Sequence, residues 1–225
     1  MTTETETAPR IYVASLSDYN AGHLHGRWID ATQDLEDIYL EIKEMLRESD
    51  YPNIEKRDYT CRECGHVWDA QVFYDESTLE EKIPSCPECK AEAPESPMIY
   101  PSAEEWAIHD HEGFTGWQPS EGESIETVAE VAALIEEHGD LFGLVLEHAD
   151  GNIERAKQLM DEGYRGAHDS LEDYAREFCQ DCYGEPPEWL TYYIDYEKMG
   201  KDWELGGDIF TIEHDGKVHI FDAIL

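Results

Sequence analysis

Positive charge is scarce in this sequence. Only 16 Lys and Arg stand against 53 Asp and Glu over 225 residues, a formal net charge of −37. A field that negative repels duplex DNA and anionic membrane surfaces, which excludes direct nucleic-acid binding and membrane association as expectations. No apolar run approaches the roughly 18 residues that a membrane span needs. The sequence also has no GxSxG elbow, no phosphate-binding Gly-rich loop ahead of a helix and no HExxH, so none of these enzyme classes is indicated. Internal repeats and long low-complexity tracts are lacking too. The opening MTTETETAP has no apolar stretch; it reads as a short disordered tail rather than a signal peptide, and a cytoplasmic protein is expected.

What is present argues for a folded chain. Hydrophobic residues make up 40% and aromatics 11%, too much for the low-hydrophobicity composition of disorder. A compact chain of this length would be about 45 Å across, and B-form DNA of that length carries roughly 26 charges. The protein therefore matches the charge of a duplex of its own size. Three readings of the acidity stand open on composition: a solvated surface, salt adaptation, and occupancy of a site built for nucleic acid. Glu outnumbers Asp, 33 to 20, which weighs against salt adaptation. Any contact face on a partner should be basic.

Patterning predicts an α+β fold. RIYVAS (Arg10 to Ser15) and HLHGRWID (His23 to Asp30) read as strands. Leu35, Ile38, Ile42, Met45 and Leu46 recur at the helical period and predict a helix from Asp34 to Glu48. Residues 53–100 change character, with more Pro, four cysteines and no helical period, as an inserted module would. Beyond it, Glu104 to Phe114 reads as strand and turn. A helix is expected from Ser124 to His138, closed by Gly139. Further helices are expected at Leu141 to Ala149, Asn152 to Glu162, Ser170 to Cys182 and Glu188 to Met199, the last with Tyr192, Tyr193 and Tyr196 partly buried. DIFTIEH and KVHIFDA around Asp215 and Gly216 predict a closing β-hairpin. The expected divisions are a tail at 1–9, α/β units at 10–52, 101–150 and 151–225, and the module at 53–100.

The six cysteines fall in three CxxC pairs, which in a chain of this kind points to metal or redox chemistry before a disulfide framework. Cys61 and Cys64 are followed after 21 residues by Cys86 and Cys89. Two such turns can bring four thiolates to one tetrahedral point, the closed shell of one structural Zn²⁺, with no open position for catalysis. Reducible disulfides or unliganded thiols are the alternatives, and such a shell also accepts iron. Residues 51–100 hold 11 acids and 5 bases, with no basic cluster that would meet phosphates, so the module is expected to brace or dock. Cys179 and Cys182 share an apolar helical face with Leu171, Tyr174, Ala175 and Phe178, and read as core thiols. The pairs His23/His25 and His109/His111 read as ordinary strand residues, with no third ligand in view.

Acidic stripes mark the helices. Asp37, Glu41, Glu44 and Glu48 lie on one face of the first, Glu126, Glu130 and Glu137 on one face of another, and Asp173, Glu177 and Asp181 on a third. Like charges at i, i+4 cost about 0.2–0.5 kcal/mol per pair, so repeating them favours a used face over a merely solvated one. One helix cannot copy a phosphate backbone, since its i, i+4 rise is about 6 Å against 3.4 Å per phosphate. Several stripes on a curved surface can.

RIYVASLSDYNAG with HGRWID, EEWAIHD with EGF, SIETVAEVAALIEEHG through DSLEDYARE, YYIDYEKM and DIFTIE together resemble the ArdA antirestriction family. They cover most of residues 10–50 and 103–221. The resemblance implies an elongated series of small α/β units, typically a homodimer, carried by mobile genetic elements. It implies a non-enzymatic mimic of duplex DNA that occupies the DNA-binding cleft of type I restriction-modification enzymes, at the modification core of specificity and methyltransferase subunits. On that analogy Glu126, Glu130, Glu137, Glu147, Asp150, Glu154, Asp161, Asp173 and Glu177 stand where phosphate-mimicking carboxylates would be. The four-cysteine module departs from the family plan. An acidic zinc-ribbon adaptor that recruits a protein partner is the alternative function.

Overall fold

The computed structural model describes residues 8–69, 73–74, 81–82, 85–92, 94 and 97–224, so most of the expected tail and parts of the module lie outside the described residues. The chain divides into two compact units, one of residues 10–112 and 119–129, the other including 113–118 and 130–225.

In the first unit β1 (Arg10–Ser15) takes the middle of an antiparallel sheet, because Ile11, Val13 and Ala14 are wholly buried. The helical turn α1 (Leu16–Asn20) leads to β2 (Gly26–Asp30), which pairs along one edge of β1. The strand expected from His23 starts only at Gly26. A Cβ at Gly26 would meet the Val13 carbonyl at 2.3 Å, so the hairpin closes only around glycine. Next, α2 (Leu35–Arg47) buries Ile38, Ile42, Met45 and Leu46, as its period predicts. The wholly buried Asp18 ties the two ends of this region together: its carboxylate accepts the Ser15 and Ser49 hydroxyls at 2.5 Å each and the Asp50 N–H at 3.1 Å.

The module contributes β3 (Ile54–Thr60), β4 (Val67–Asp69), the short pair β5 (Phe73–Tyr74) and β6 (Glu81–Lys82), and β7 (Met98–Ser102). Its three-stranded sheet runs β4–β3–β7, antiparallel throughout. Then β8 (Trp106–Glu112) returns to the first sheet on the other edge of β1.

Helix α3 (Ile125–His138) begins at Ser124, whose hydroxyl accepts the Thr127 N–H, and is followed by Gly139 at φ +71°. Its first five residues group with the first unit, the remainder with the second. In the second unit α4 (Asp140–His148) and α5 (Ile153–Gln158) follow. The helix expected to reach Glu162 instead widens after Gln158 into a π turn over Leu159–Gly163. From there β9 (Tyr164–His168), α6 (Leu171–Tyr183), α7 (Glu188–Thr191), α8 (Tyr196–Gly206), β10 (Ile209–His214) and β11 (Lys217–Asp222) complete a β10–β11–β9 sheet with helices packed on it.

Asp215 and Gly216, both at positive φ, close the expected hairpin, as a two-residue turn matched to strand twist requires. The single helix expected over Glu188–Met199 is broken. Residues 192–195 are non-helical or turn, and the Asp195 carboxylate caps a fresh helix through the Lys198 N–H. Tyr196 is buried, but Tyr192 and Tyr193 are 87% and 80% exposed, contrary to expectation. Among the described residues no helix is long and apolar enough to cross a membrane.

Candidate metal centre and acidic surface

Two matching turns build the cysteine cluster. In the first, the Cys61 N–H donates to the His66 carbonyl and the Gly65 N–H to the Cys61 carbonyl. In the second, the Cys86 N–H donates to the Ala91 carbonyl and the Lys90 N–H to the Cys86 carbonyl. Each turn needs a left-handed residue just after its second cysteine. Gly65 supplies it at φ +76°, and Lys90, more unusually, at φ +62°. The Lys90 ammonium folds back onto the Pro87 carbonyl at 2.6 Å. Nothing in the Lys90 side chain advertises this backbone role in the sequence.

The four Sγ atoms lie within 4.8 Å of one another. Cys61 and Cys89 are 3.5 Å apart, Cys64 and Cys86 3.7 Å. Four sulfurs held about 2.3 Å from a central ion at tetrahedral angles would be separated by about 3.8 Å, so the donor set fits a metal ion. Electrostatics agree. The Cys64 N–H at the Cys61 sulfur, helped by that of Glu63, holds the Cys61 thiol down at about 6. The His66 N–H likewise favours the Cys64 thiolate, yet burial and the proton shared with the other three sulfurs outweigh it and push that thiol up to about 12. Successive thiolates repel at this distance, and a bound cation removes that repulsion.

The cluster is tied to α2. Tyr59 and Trp68 stack beside Cys61 and Cys86 in one small core. From β3, the nearly buried Asp58 accepts the Lys43 ammonium of α2 at 2.9 Å. Burial alone would lower the Lys43 pKa, but Asp58 raises it. Arg47 lies over the Tyr100 ring of β7 at 4.4 Å.

The carboxylates singled out in sequence are placed at or near the surface. Asp37, Glu44, Glu48 and Glu126 in the first unit are exposed, and Glu41 is half-buried. In the second, Glu130, Glu137, Glu147, Asp150, Glu154, Asp161, Glu177 and Asp181 are exposed and Asp173 half-buried. Their local partners differ. Arg27 bridges Glu44 and Glu48, and Gln33 donates to Glu41. Lys157 pairs with Glu130 and Glu154, and Arg176 with Asp173. His168 lies 3.3 Å from Glu177, and His138 4.0 Å from Glu137. Glu126 accepts the Tyr39 hydroxyl at 2.9 Å; its own N–H in the first turn of α3, together with that hydroxyl, keeps its pKa below the usual carboxylate range. Among the described residues, Asp37, Glu147, Asp150, Asp161 and Asp181 have no side-chain partner. Tyr39 and the bridging cations were not among the residues singled out in sequence, because contacts between distant segments leave no periodic trace.

Scarce as the cations are, most are used internally. Arg10, Arg27, Lys43, Lys56, Lys157, Arg165, Arg176, Lys198, Lys201 and Lys217 each pair with a carboxylate of the same chain. Histidines of the HxH pairs are bound elsewhere: His25 to the Met45 carbonyl, His23 to the Tyr51 hydroxyl, and His109 beside Glu121. The reading of Cys179 and Cys182 as core thiols needs correction, since Cys179 is only partly buried and Cys182 is exposed. Their helix ends at Tyr183, and the apolar face is no longer covered there.

Among known families, the model described as antirestriction protein (ArdA) matches residues 11–217, which include the whole cysteine module. No curated protein matches the chain.

Proposed function

We propose that this chain, which belongs to the ArdA antirestriction family, works as an acidic mimic of duplex DNA. It occupies the DNA-binding cleft of type I restriction-modification enzymes, at the core formed by specificity and methyltransferase subunits, and so protects incoming mobile DNA. No bond is made or broken; the inhibitor competes for a basic surface. In this reading it acts in the cytoplasm as a homodimer, and the four cysteines hold one structural Zn²⁺ that braces the module.

The observation that carries this reading is the fate of the cations. With at least ten of the 16 Lys and Arg paired to carboxylates among the described residues, the remaining acids present an almost uncompensated field. A cleft lined with Lys and Arg for phosphates attracts such a field over a long range and at high encounter rates. Exposed carboxylates spread over several helices supply the separated acceptors that phosphate-binding side chains expect. For the metal, tetrahedral sulfur spacing is what Zn²⁺ prefers.

Competition for DNA tests the proposal. A purified type I modification core is bound to a fluorescent duplex containing its recognition site, and the protein is titrated in at two salt concentrations. Displacement near stoichiometry that weakens as salt rises is expected, because exposed charge contacts are screened. No displacement, or displacement indifferent to salt, overturns the mimic.

A further inference from the structure

A thiol and a thioether meet between α6 and α8 of the second unit. Cys179 of α6 faces Met199 of α8, with Sγ 3.4 Å from Sδ. Cys182 lies three residues further along α6, and helical geometry puts i and i+3 on the same side. Cys182 is itself exposed, while Tyr174, Cys179 and Met199 line one cavity. Both cysteines are free. The cavity, about 470 Å³, is walled by the rings of Phe178, Tyr183 and Trp203.

The donor set is chemically selective. Thiolate and thioether sulfurs are soft donors that favour Cu(I), whereas Mg²⁺ and Ca²⁺ require oxygen. Of the two carboxylates at the cavity, Asp222 is already held by Arg165, which leaves Asp208 beside the sulfurs. Three sulfurs on two packed helices suit a low-coordinate monovalent ion better than Zn²⁺, which takes four ligands.

We propose that Cys179, Cys182 and Met199 form a second metal site, for Cu(I). Binding converts two thiols to thiolates: Cu⁺ joins two Cys–S⁻ and the Met199 thioether, and two protons leave to solvent. No oxidant or reductant takes part. The exposed Cys182 is the point of entry, and Cys179 and Met199 hold the ion against the aromatic wall.

The test uses the full chain with zinc loaded at the four-cysteine centre. Cu(I) buffered by bicinchoninate is titrated in without oxygen while zinc release is followed in the same sample. One equivalent of Cu(I) should bind with zinc retained. Cys182→Ser, an exposed change, and Met199→Leu, of similar volume, should each weaken binding by about tenfold or more with an unchanged circular dichroism spectrum. Copper uptake matched by zinc release would assign the ion to the other centre and overturn the proposal. So would equal affinity in both variants, or a second zinc ion that binds here regardless of Met199→Leu.

Discussion

The cysteine module and the second unit are held together by different means. Among the described residues the module's buried cluster is Tyr59, Cys61, Trp68 and Cys86, with Ala91 against it, so two of these five belong to the four-cysteine set. The second unit wholly encloses Phe142, Val145, Leu146, Ile220 and Phe221 and almost wholly Leu159. Among the described residues the module's apolar interior is too small to offset the entropy of ordering its strands, whereas the second unit encloses a larger one. One acidic chain thus joins a segment built around four clustered cysteines to a segment built by packing.

Removing the ion proposed for the four cysteines should separate them most sharply. Structural zinc supplies about 10–16 kcal/mol in small metal-folded domains, as much as the whole stability of an ordinary domain. Chelation, or Cys61→Ser, should therefore abolish amide protection in β3, β4 and β7 while β10, β11 and α4 keep theirs in hydrogen exchange. Equal loss in both regions, or none, breaks the comparison.

The second unit should fail through its packing instead. A Cβ at Gly143 in α4 would lie 1.7 Å from the Thr115 carbonyl oxygen, within the same unit. Helix propensity alone makes Gly→Ala stabilising by about 1 kcal/mol; the close approach reverses the sign. Gly143→Ala should lower stability by about 1–3 kcal/mol or more, read as a lower melting temperature for the second unit with module protection retained. A stabilised variant would show that this packing is not tight.

How far these regions can be read from sequence follows the same division. Elements with a strong local signal are legible: α2 by its period, α6 by Ser170, whose hydroxyl accepts the Asp173 N–H, and the β10–β11 turn by Asp215 and Gly216. The cysteine cluster is legible because its spacing states the chemistry. What escapes is decided at long range or by one cap. Aromatic residues run through the break between α7 and α8, and only the Asp195 carboxylate marks it. The strand β9, Tyr164–His168, is too polar and Gly-interrupted to register alone, and pairs because β11 offers an edge. Surface carboxylates are legible as the faces opposite the apolar stripes, but their partners Lys157, Arg27 and Tyr39 are not.

Charge reversal asks which region meets the partner. Glu126, Glu130 and Glu137 reversed together to Lys should weaken competition with DNA, but Glu126 and Glu130 also hold Tyr39 and Lys157. Glu147, Asp161 and Asp181 have no such ties, so reversing these three should leave stability within about 0.5 kcal/mol and lower competition by about tenfold, near 1.4 kcal/mol. The same measurement on Asp37→Lys in the first unit gives the contrast. Unchanged competition in the triple variant would remove that part of the second unit from the contact face.

Acid should touch the first unit through Asp18, with the smallest effect of the four. Burial raises this carboxyl's pKa, but the Ser15 and Ser49 hydroxyls, His25 and the Asp50 N–H together bring it below the ordinary value of 3.8. A depressed folded pKa means that the unfolded chain binds the proton first, so Asp18 contributes its stability above that ordinary value and loses it as pH falls through the lower folded one. The loss is therefore confined to pH below about 4. Asp18→Asn cannot titrate there, so unfolding of the first unit by urea should depend less on pH between 5 and 3 in the variant than in the parent, with the second unit's transition unmoved. Identical slopes would mean that the three donors and His25 stabilise the carboxyl and the carboxylate alike, and that the acid sensitivity of this unit lies elsewhere.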